Sequence, residues 1–400
     1  MAGPWRVLHV HNRYRNTQPS GENIRVAQEA ALLESGGHFV SLLEYDNTEI
    51  ESWSHRQKAA LPFRAVWSRR AYGDTSKAIQ DFAPDLVHVH NFLPLASPSV
   101  LWAAKSLEKP IVCTLANYRL MCPTATFFRD GHRCEECKDR LLAWPGIQHK
   151  CYRESRPASA VVAATTGIHK LLGTWDKVVD LYLIASSFGK AKYCEGGFNP
   201  KKIVVKPNTA RELGVKRRGP GQHYLFAGRL DEEKGVYLLL DAWARADLRP
   251  GRELHIAGDG PRMQDLKETV SKQGIKGVRF LGYLDREQLA KEVERSRALV
   301  SPSITYEVSS LSTIEAMSAG VTSIVSKGGG QEELVEEGRS GLTCSVSSSD
   351  DLTSHLQRLE NDDLSVSLGR NARRRYEKHH SPKVVLVSLE AAYESVLIGS

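Results

Sequence analysis

The feature that most constrains this chain is an alternation that runs through it twice. Short runs of β-branched and aromatic residues are each followed by a longer stretch with helical spacing of apolar side chains. Parallel neighbours need a crossover of about a dozen residues between them, usually a helix, so this pattern predicts parallel sheets covered by helices. In the first series strands are expected at 5–10, 39–43, 86–90, 111–115, 181–185 and 203–206. A helix is expected at 23–34, with apolar spacing at Ile24, Ala27, Ala31 and Leu32 and with Gly36 and Gly37 closing it. In the second series strands at 223–227, 253–257, 278–281, 298–301 and 323–325 alternate with helices at 235–245, 263–272, 286–295 and 311–319.

Four hundred residues exceed what a single core usually supports. Between the two series, 207–222 is rich in Pro, Gly, Lys and Arg, including Arg211 and Arg218, and reads as a linker. The expectation is an α/β protein with two Rossmann-like, doubly wound domains at 1–207 and 208–380 that face a cleft at the strand ends. A terminal helix within 381–400 is expected to pack back on the first domain. The alternation fails at about 117–155, an irregular insertion of a length that is usually functional or tied down.

With 41% hydrophobic and 25% charged residues, general disorder and fibrous repeats are excluded. Apolar runs fall short of a membrane span and the start has no signal-peptide pattern, so a cytoplasmic location is expected. The balance of 54 basic against 47 acidic residues tilts the chain toward anionic ligands. Seven cysteines without an export signal favour free thiols or a metal site over a disulfide framework.

The most informative block is Ala227-Gly228-Arg229-Leu230 followed by Lys234-Gly235, between a strand and a helix. A glycine turn brings the backbone close to a ligand, the helix start offers N–H groups, and Arg229 and Lys234 add two cations, which together suit a diphosphate. The plain alternative is a C-cap glycine with two solvated basic side chains. A second block runs from Tyr306 through Glu307, Ser309, Ser310 and Leu311 to Glu315. Ser309 and Ser310 are placed to cap a helix and meet a phosphate, and the two carboxylates to accept from the hydroxyls of a sugar and a ribose. An acidic helix entry with one solvated glutamate is the competing reading.

In their order, AGRLDEEKG, LHIAGDGP, FLGYL and YEVSSLSTIEAMSAG resemble family four of the retaining glycosyltransferases, which has the GT-B fold. The first half is similar as well, in PSGENIRVAQEAALLESGGHFV and DLVHVHN. The resemblance implies transfer of a sugar from a nucleotide-diphosphate donor, UDP-linked first and GDP-mannose second, to a hydroxyl acceptor with retention. The acceptor would be a small molecule, a glycan or a lipid-linked group, with no nucleic acid partner and no catalytic metal. It assigns Arg229 and Lys234 to the diphosphate, Glu315 to the ribose and Glu307 to the transferred sugar. Ser309, Ser310 and Leu311 would meet phosphate and sugar, the backbone at Tyr283 and Leu284 would flank the base, and Gly21 would approach the diphosphate from the first domain. The alternatives are a nucleotide-sugar epimerase of the same fold, or a protein that binds the donor without turning it over.

Three departures stand out. Where the family usually carries a histidine beside the donor sugar, this chain has Ala116. Either a catalytic side chain has been lost, which would impair transfer, or this branch manages without it. Ser20 stands where a second glycine is common, and Ser309-Ser310 where Gly or Pro is usual.

The insertion carries Cys122, Cys134, Cys137 and Cys151, and the C-x-x-C pair is expected to seed a structural zinc site, with His132 or His149 as alternative ligands. The other reading is four reduced thiols. His88 and His90 alternate on one strand, so that one reaches the cleft or both are core. Arg373, Arg374, Arg375 and Lys378 form either a solvated helix face or a contact for an anionic membrane.

Overall fold

The computed structural model describes residues 3–14, 21–210, 212–217 and 219–398, so Ser20, Arg211 and Arg218 lie outside the described residues. The strands, in chain order, are β1 (Arg6–Arg13), β2 (Phe39–Asp46), β3 (Leu86–Asn91), β4 (Ile111–Thr114), β5 (Phe128–Arg129), β6 (His132–Arg133), β7 (Leu181–Ile184) and β8 (Ile203–Val205). They continue as β9 (His223–Ala227), β10 (Leu254–Ala257), β11 (Val278–Gly282), β12 (Ser296–Ser301), β13 (Thr322–Ser326) and β14 (Leu342–Cys344). The chain forms two compact units. One comprises Met1–Phe127, Cys134–Lys206 and Leu386–Ser400; the other comprises Phe128–Arg133 and Pro207–Val385. The hairpin β5–β6, inside the irregular insertion, thus groups with the second unit.

The first unit is built on a six-stranded parallel sheet in the order β2-β1-β3-β4-β7-β8. Val7, Leu86, Val112, Leu181 and Leu183 form one core with Leu33. The helix Pro382–Leu397 adds Leu389, Ala392 and Tyr393 to it. β1 runs three residues past its expected end because His11 and Asn12, polar in sequence, are buried. Asn12 donates to Asn47 Oδ1 at 2.8 Å and accepts from Leu95 N at 2.7 Å, which satisfies its amide inside the fold.

The helix Gly21–Ser35 buries Val26, Glu29, Leu32 and Leu33, whereas Ile24, Ala27 and Ala31 face outward. Spacing of apolar residues misplaced this face because its central residue is a carboxylate. Glu29 is buried and pairs with the buried Lys206 ammonium. Helices at Glu49–Ser52, His55–Ala59, Leu61–Val66 and Arg69–Phe82, which the alternation did not resolve, connect β2 to β3.

The second unit has the parallel order β11-β10-β9-β12-β13-β14. Its core includes Tyr224, Phe226, Leu239, Leu240, Trp243, Ile256 and Leu356. β14, a strand of three residues, is too short to stand out in the sequence pattern. Glycine is required at two joints. Gly235 has φ 71° and a Cβ there would lie 2.1 Å from Pro302 O; Gly258 has φ 133° and a Cβ would lie 1.8 Å from Gly228 O. No helix among the described residues is long and apolar enough to cross a membrane.

Burial opposes ionisation of Glu29, yet Lys206, with smaller contributions from His88 and His9, holds its carboxyl at about 2. The depressed value means that the pair stabilises the fold above the ordinary carboxylate range and that this contribution is lost as pH falls toward 2. Lys206→Ala strands a buried carboxylate. Denaturant unfolding at pH 7 should show a loss of about 3–5 kcal/mol, and a smaller loss for the variant near pH 4, where its Glu29 accepts a proton.

Candidate active site

In the second unit the strand order reverses between β9 and β12, and ligands of such sheets bind at the carboxyl ends of the strands beside that reversal. The loop after β9 carries Gly228, Arg229 and Lys234; the loop after β12 carries Ser303, Glu307, Ser309 and Ser310. Backbone knits the loops together, Ile304 N donating to Glu233 O at 2.8 Å. Lys234 Nζ lies 2.5 Å from Glu307 Oε1, which also accepts from Ser303 Oγ at 2.8 Å. Burial works against the Lys234 ammonium, but the Glu307 carboxylate outweighs it and raises the group above the usual lysine value. Arg229 is half-exposed and is held by Asp231 and Glu233. Burial raises the Glu233 carboxyl, opposed by Lys234 and Arg229.

The helix Leu311–Ser318 begins at this edge. Ser310 is its N-cap, its hydroxyl accepting from Thr313 N at 3.3 Å, so of the two serines the capping role belongs to Ser310. Ser309 Oγ is buried and unpartnered, the state of a group that awaits a ligand. Glu315, one turn into the helix, has no hydrogen-bond donor on its carboxylate among the described residues. Burial pushes its carboxyl up to about 7, with a small opposing effect of Arg286. Tyr283, just past β11, exposes its ring, while Leu284 packs on the core formed by Leu225, Leu299 and Ala316.

Two parts of this site were missed by the reading of the sequence. A glycine run at 328–330 follows β13, and Gly330 N donates to Glu307 O at 2.6 Å, fixing the loop that aims Glu307. Arg133 of β6 donates to Ile304 O at 2.8 Å and to Lys327 O at 2.9 Å, and its guanidinium lies 4.4 Å from the Tyr306 ring centroid. The glycine run at a strand's carboxyl end was a readable signal. Arg133, more than 150 residues away in sequence, was not.

In the first unit a pocket at the ends of β3 and β4 is lined by Glu22, His90, Asn91, Ala116, Asn117 and Arg119 among others. Ala116 shares this lining with Phe92, Leu93, Leu115 and Leu120 as well as with the polar residues. Gly21 opens the neighbouring helix and is exposed. Burial raises the Glu22 carboxyl, with Arg25 and Arg119 opposing. His88 is core, 2.7 Å from both Tyr393 Oη and Thr114 Oγ1, whereas His90 reaches the pocket although it is buried.

Other expected features have different employment. Arg373 pairs with Glu212 and Glu377, and Arg375 with Glu336 and the Leu334 and Glu333 carbonyls, so half of the basic run is spent within the unit. None of the seven cysteines is in a disulfide among the described residues, and Cys113, Cys122, Cys137 and Cys344 are buried.

Residues 215–375 match the family model described as Glycosyl transferases group 1. A glycogen synthase of Mycobacterium tuberculosis is 37% identical over 130 residues, which is 32% of this chain and 31% of that protein, so the match spans about a third of that relative's length. The alpha-monoglucosyldiacylglycerol synthase of Streptococcus pneumoniae is 23% identical over 78% of this chain and 68% of its own. Among solved structures, a sucrose-phosphate synthase of Thermosynechococcus elongatus superposes with a TM-score of 0.72 at 17% identity, covering 99% of this chain and 100% of that one. HepE of Anabaena, solved with UDP and glucose, gives 0.67 at 15% identity, covering 98% and 100%. Two parallel Rossmann-like units and these superpositions agree on the GT-B fold, and the stretch that matches Glycosyl transferases group 1 lies within the second unit.

Proposed function

We propose that this protein transfers a sugar from a nucleoside-diphosphate donor, UDP-linked in the first instance, to a hydroxyl acceptor with retention at the anomeric carbon. The observation that carries the reading is the Lys234–Glu307 contact at the β9/β12 reversal, because it sets a cation and a hydroxyl acceptor side by side where a diphosphate meets its sugar. Arg229 and Lys234 neutralise the diphosphate as it leaves, and the helix start at Ser309 and Ser310 adds backbone N–H donors. Glu307 accepts from the sugar hydroxyls and Glu315 from the ribose. Catalysis is then positioning and charge stabilisation by side chains, with no catalytic metal. The UDP preference takes support from HepE, whose structure holds UDP and glucose. The acceptor is a small molecule, a glycan or a lipid-linked group.

A second reading, donor binding without turnover, is favoured by one observation: Ala116 lines the first-unit pocket with no polar side-chain atom. Calorimetry with UDP-, GDP-, ADP- and TDP-sugars, alongside product analysis by NMR for transfer, hydrolysis or epimerised sugar, separates the readings. Binding with an α-configured transfer product supports the first; epimerised donor without transfer overturns it. Ala116→His should raise transfer by about 10²-fold, the low end for a positioned proton-transfer group, and no gain would remove the idea that a catalytic side chain is missing.

Lys234→Ala should weaken donor binding by about 1.5–3 kcal/mol in the same calorimetry, the scale of a charge-assisted hydrogen bond. Glu315 gives a pH dependence. Ribose hydroxyls favour its ionised form, and in the free protein that form prevails only above about pH 7. Affinity for a UDP-sugar should rise between pH 6 and 8, approaching about tenfold per unit at the acid end, and Glu315→Gln should flatten the profile.

A further inference from the structure

The first part of the insertion at 117–155 is anchored by buried Tyr118, Met121 and Phe127, whereas its later part packs on a small cluster. That cluster is Cys137 and Ala143 against Ala163, with Ile147 alongside. Regular structure is limited to the two-residue strands β5 and β6 and one helix, Trp144–Gln148. Within the first unit's part of it, Ala125, Phe127, Lys150, Arg153 and Glu154 adopt left-handed backbone with φ between 51° and 70°. Each such non-glycine residue costs on the order of 1 kcal/mol, and it persists only where its surroundings fix it.

The four cysteines of the segment gather at one place. Gly146 packs its backbone against Pro123, the residue after Cys122, so closely that a Cβ would lie 2.6 Å from Pro123 Cγ. The Gly146 carbonyl accepts from Cys151 N at 2.9 Å, and the backbone of the same glycine hydrogen-bonds the Cys137 thiol. Cys134 is one turn before Cys137 and is anchored by donating its N–H to Phe127 O at 2.8 Å. Around the Cys137 thiol the electrostatic neighbours are the other three cysteines, Cys122, Cys151 and Cys134.

We propose that Cys122, Cys134, Cys137 and Cys151 bind one zinc ion as four thiolates, a structural site that staples the insertion. The C-x-x-C turn supplies two adjacent sulfurs and the Pro123–Gly146 contact brings up the other two, which is the ligand set and number that tetrahedral zinc takes in structural sites. Four thiols release four protons as the ion binds, and no redox partner is involved. Two other groups, His9 with Glu29, His88 and His90, and His223 with His255 and Glu292, already have ligand atoms within 4.8 Å of one another. The first histidine group already has a cation, the Lys206 ammonium on Glu29, and both nitrogens of His88 have neighbours at 2.7 Å. In the second, both nitrogens of His255 are engaged by Glu292 and Glu253.

The test is metal analysis of the full chain, purified without chelator from zinc-supplemented cells. About one zinc per chain is expected, lost in Cys137→Ser and in Cys151→Ser and retained in Cys194→Ser, a cysteine outside the cluster. Because the serine variants could fail to fold, the unaltered chain is also titrated with EDTA. Zinc release should then make four thiols newly reactive toward a disulfide reagent and should lower Tm, and Co²⁺ added in place of zinc should give the visible bands of a tetrahedral thiolate site. Protein that carries well under one zinc per chain, zinc that survives Cys137→Ser, or unchanged thiol reactivity after EDTA overturns the proposal.

Discussion

In an all-parallel sheet every strand ends at the same edge, and where the strand order reverses the two connecting loops leave in opposite directions, so no crossover helix covers the gap between them. The rest of this structure depends on that constraint. In the second unit the gap lies between β9 and β12, and the loops that bound it supply Arg229, Lys234, Glu307 and Ser309. In the first unit the order turns between β1 and β3, and the pocket with His90 and Ala116 opens at the same edge, at the ends of β3 and β4. Both clusters thus lie at the carboxyl edge of a parallel sheet, the second at the reversal itself and the first one strand away from it.

Close approach of backbone makes the second gap narrow enough to be useful. Gly235 allows the β9 loop to touch Pro302, and Gly258 allows the β10 loop to touch Gly228. With any side chain at either position the loops would separate by the width of a methyl group. The glycine run at 328–330 then holds Glu307 from behind through Gly330 N. Stability of the first unit rests on a different device, a buried carboxylate and ammonium on the hidden face of the helix Gly21–Ser35, where most folds would place aliphatic side chains.

Much of this was legible in the sequence because alternation of strand and helix is a local signal. The helices Met263–Lys272 and Arg286–Arg295 and the strand His223–Ala227 have the ends their residues predict, and Asp285 forms the capping box that marks one of those starts. The blocks around Arg229, Lys234, Glu307 and Glu315 were also readable, since their chemistry and their order are both local. What escaped was set by partners distant in sequence. Nothing local marks Glu29 as buried, because its partner Lys206 lies 177 residues on. Arg133 looked like part of an irregular insertion, yet it is bound to carbonyls beyond residue 300. Ser309 and Ser310 looked equivalent; only the helix start decides which hydroxyl is spent on the backbone and which is left unpartnered.

The contact between Lys234 and Glu307 has a consequence for selectivity. The ammonium and the carboxylate satisfy each other, so a donor bound as proposed must replace an existing partner of each. A bare anion that draws the ammonium away leaves the carboxylate stranded, and a neutral sugar that engages the carboxylate leaves the ammonium stranded. Only a molecule that offers negative charge and hydroxyls together, at the right separation, compensates both halves at once. On the function proposed above, the pair would act as a two-key lock that neither a phosphate ion nor a free sugar opens alone.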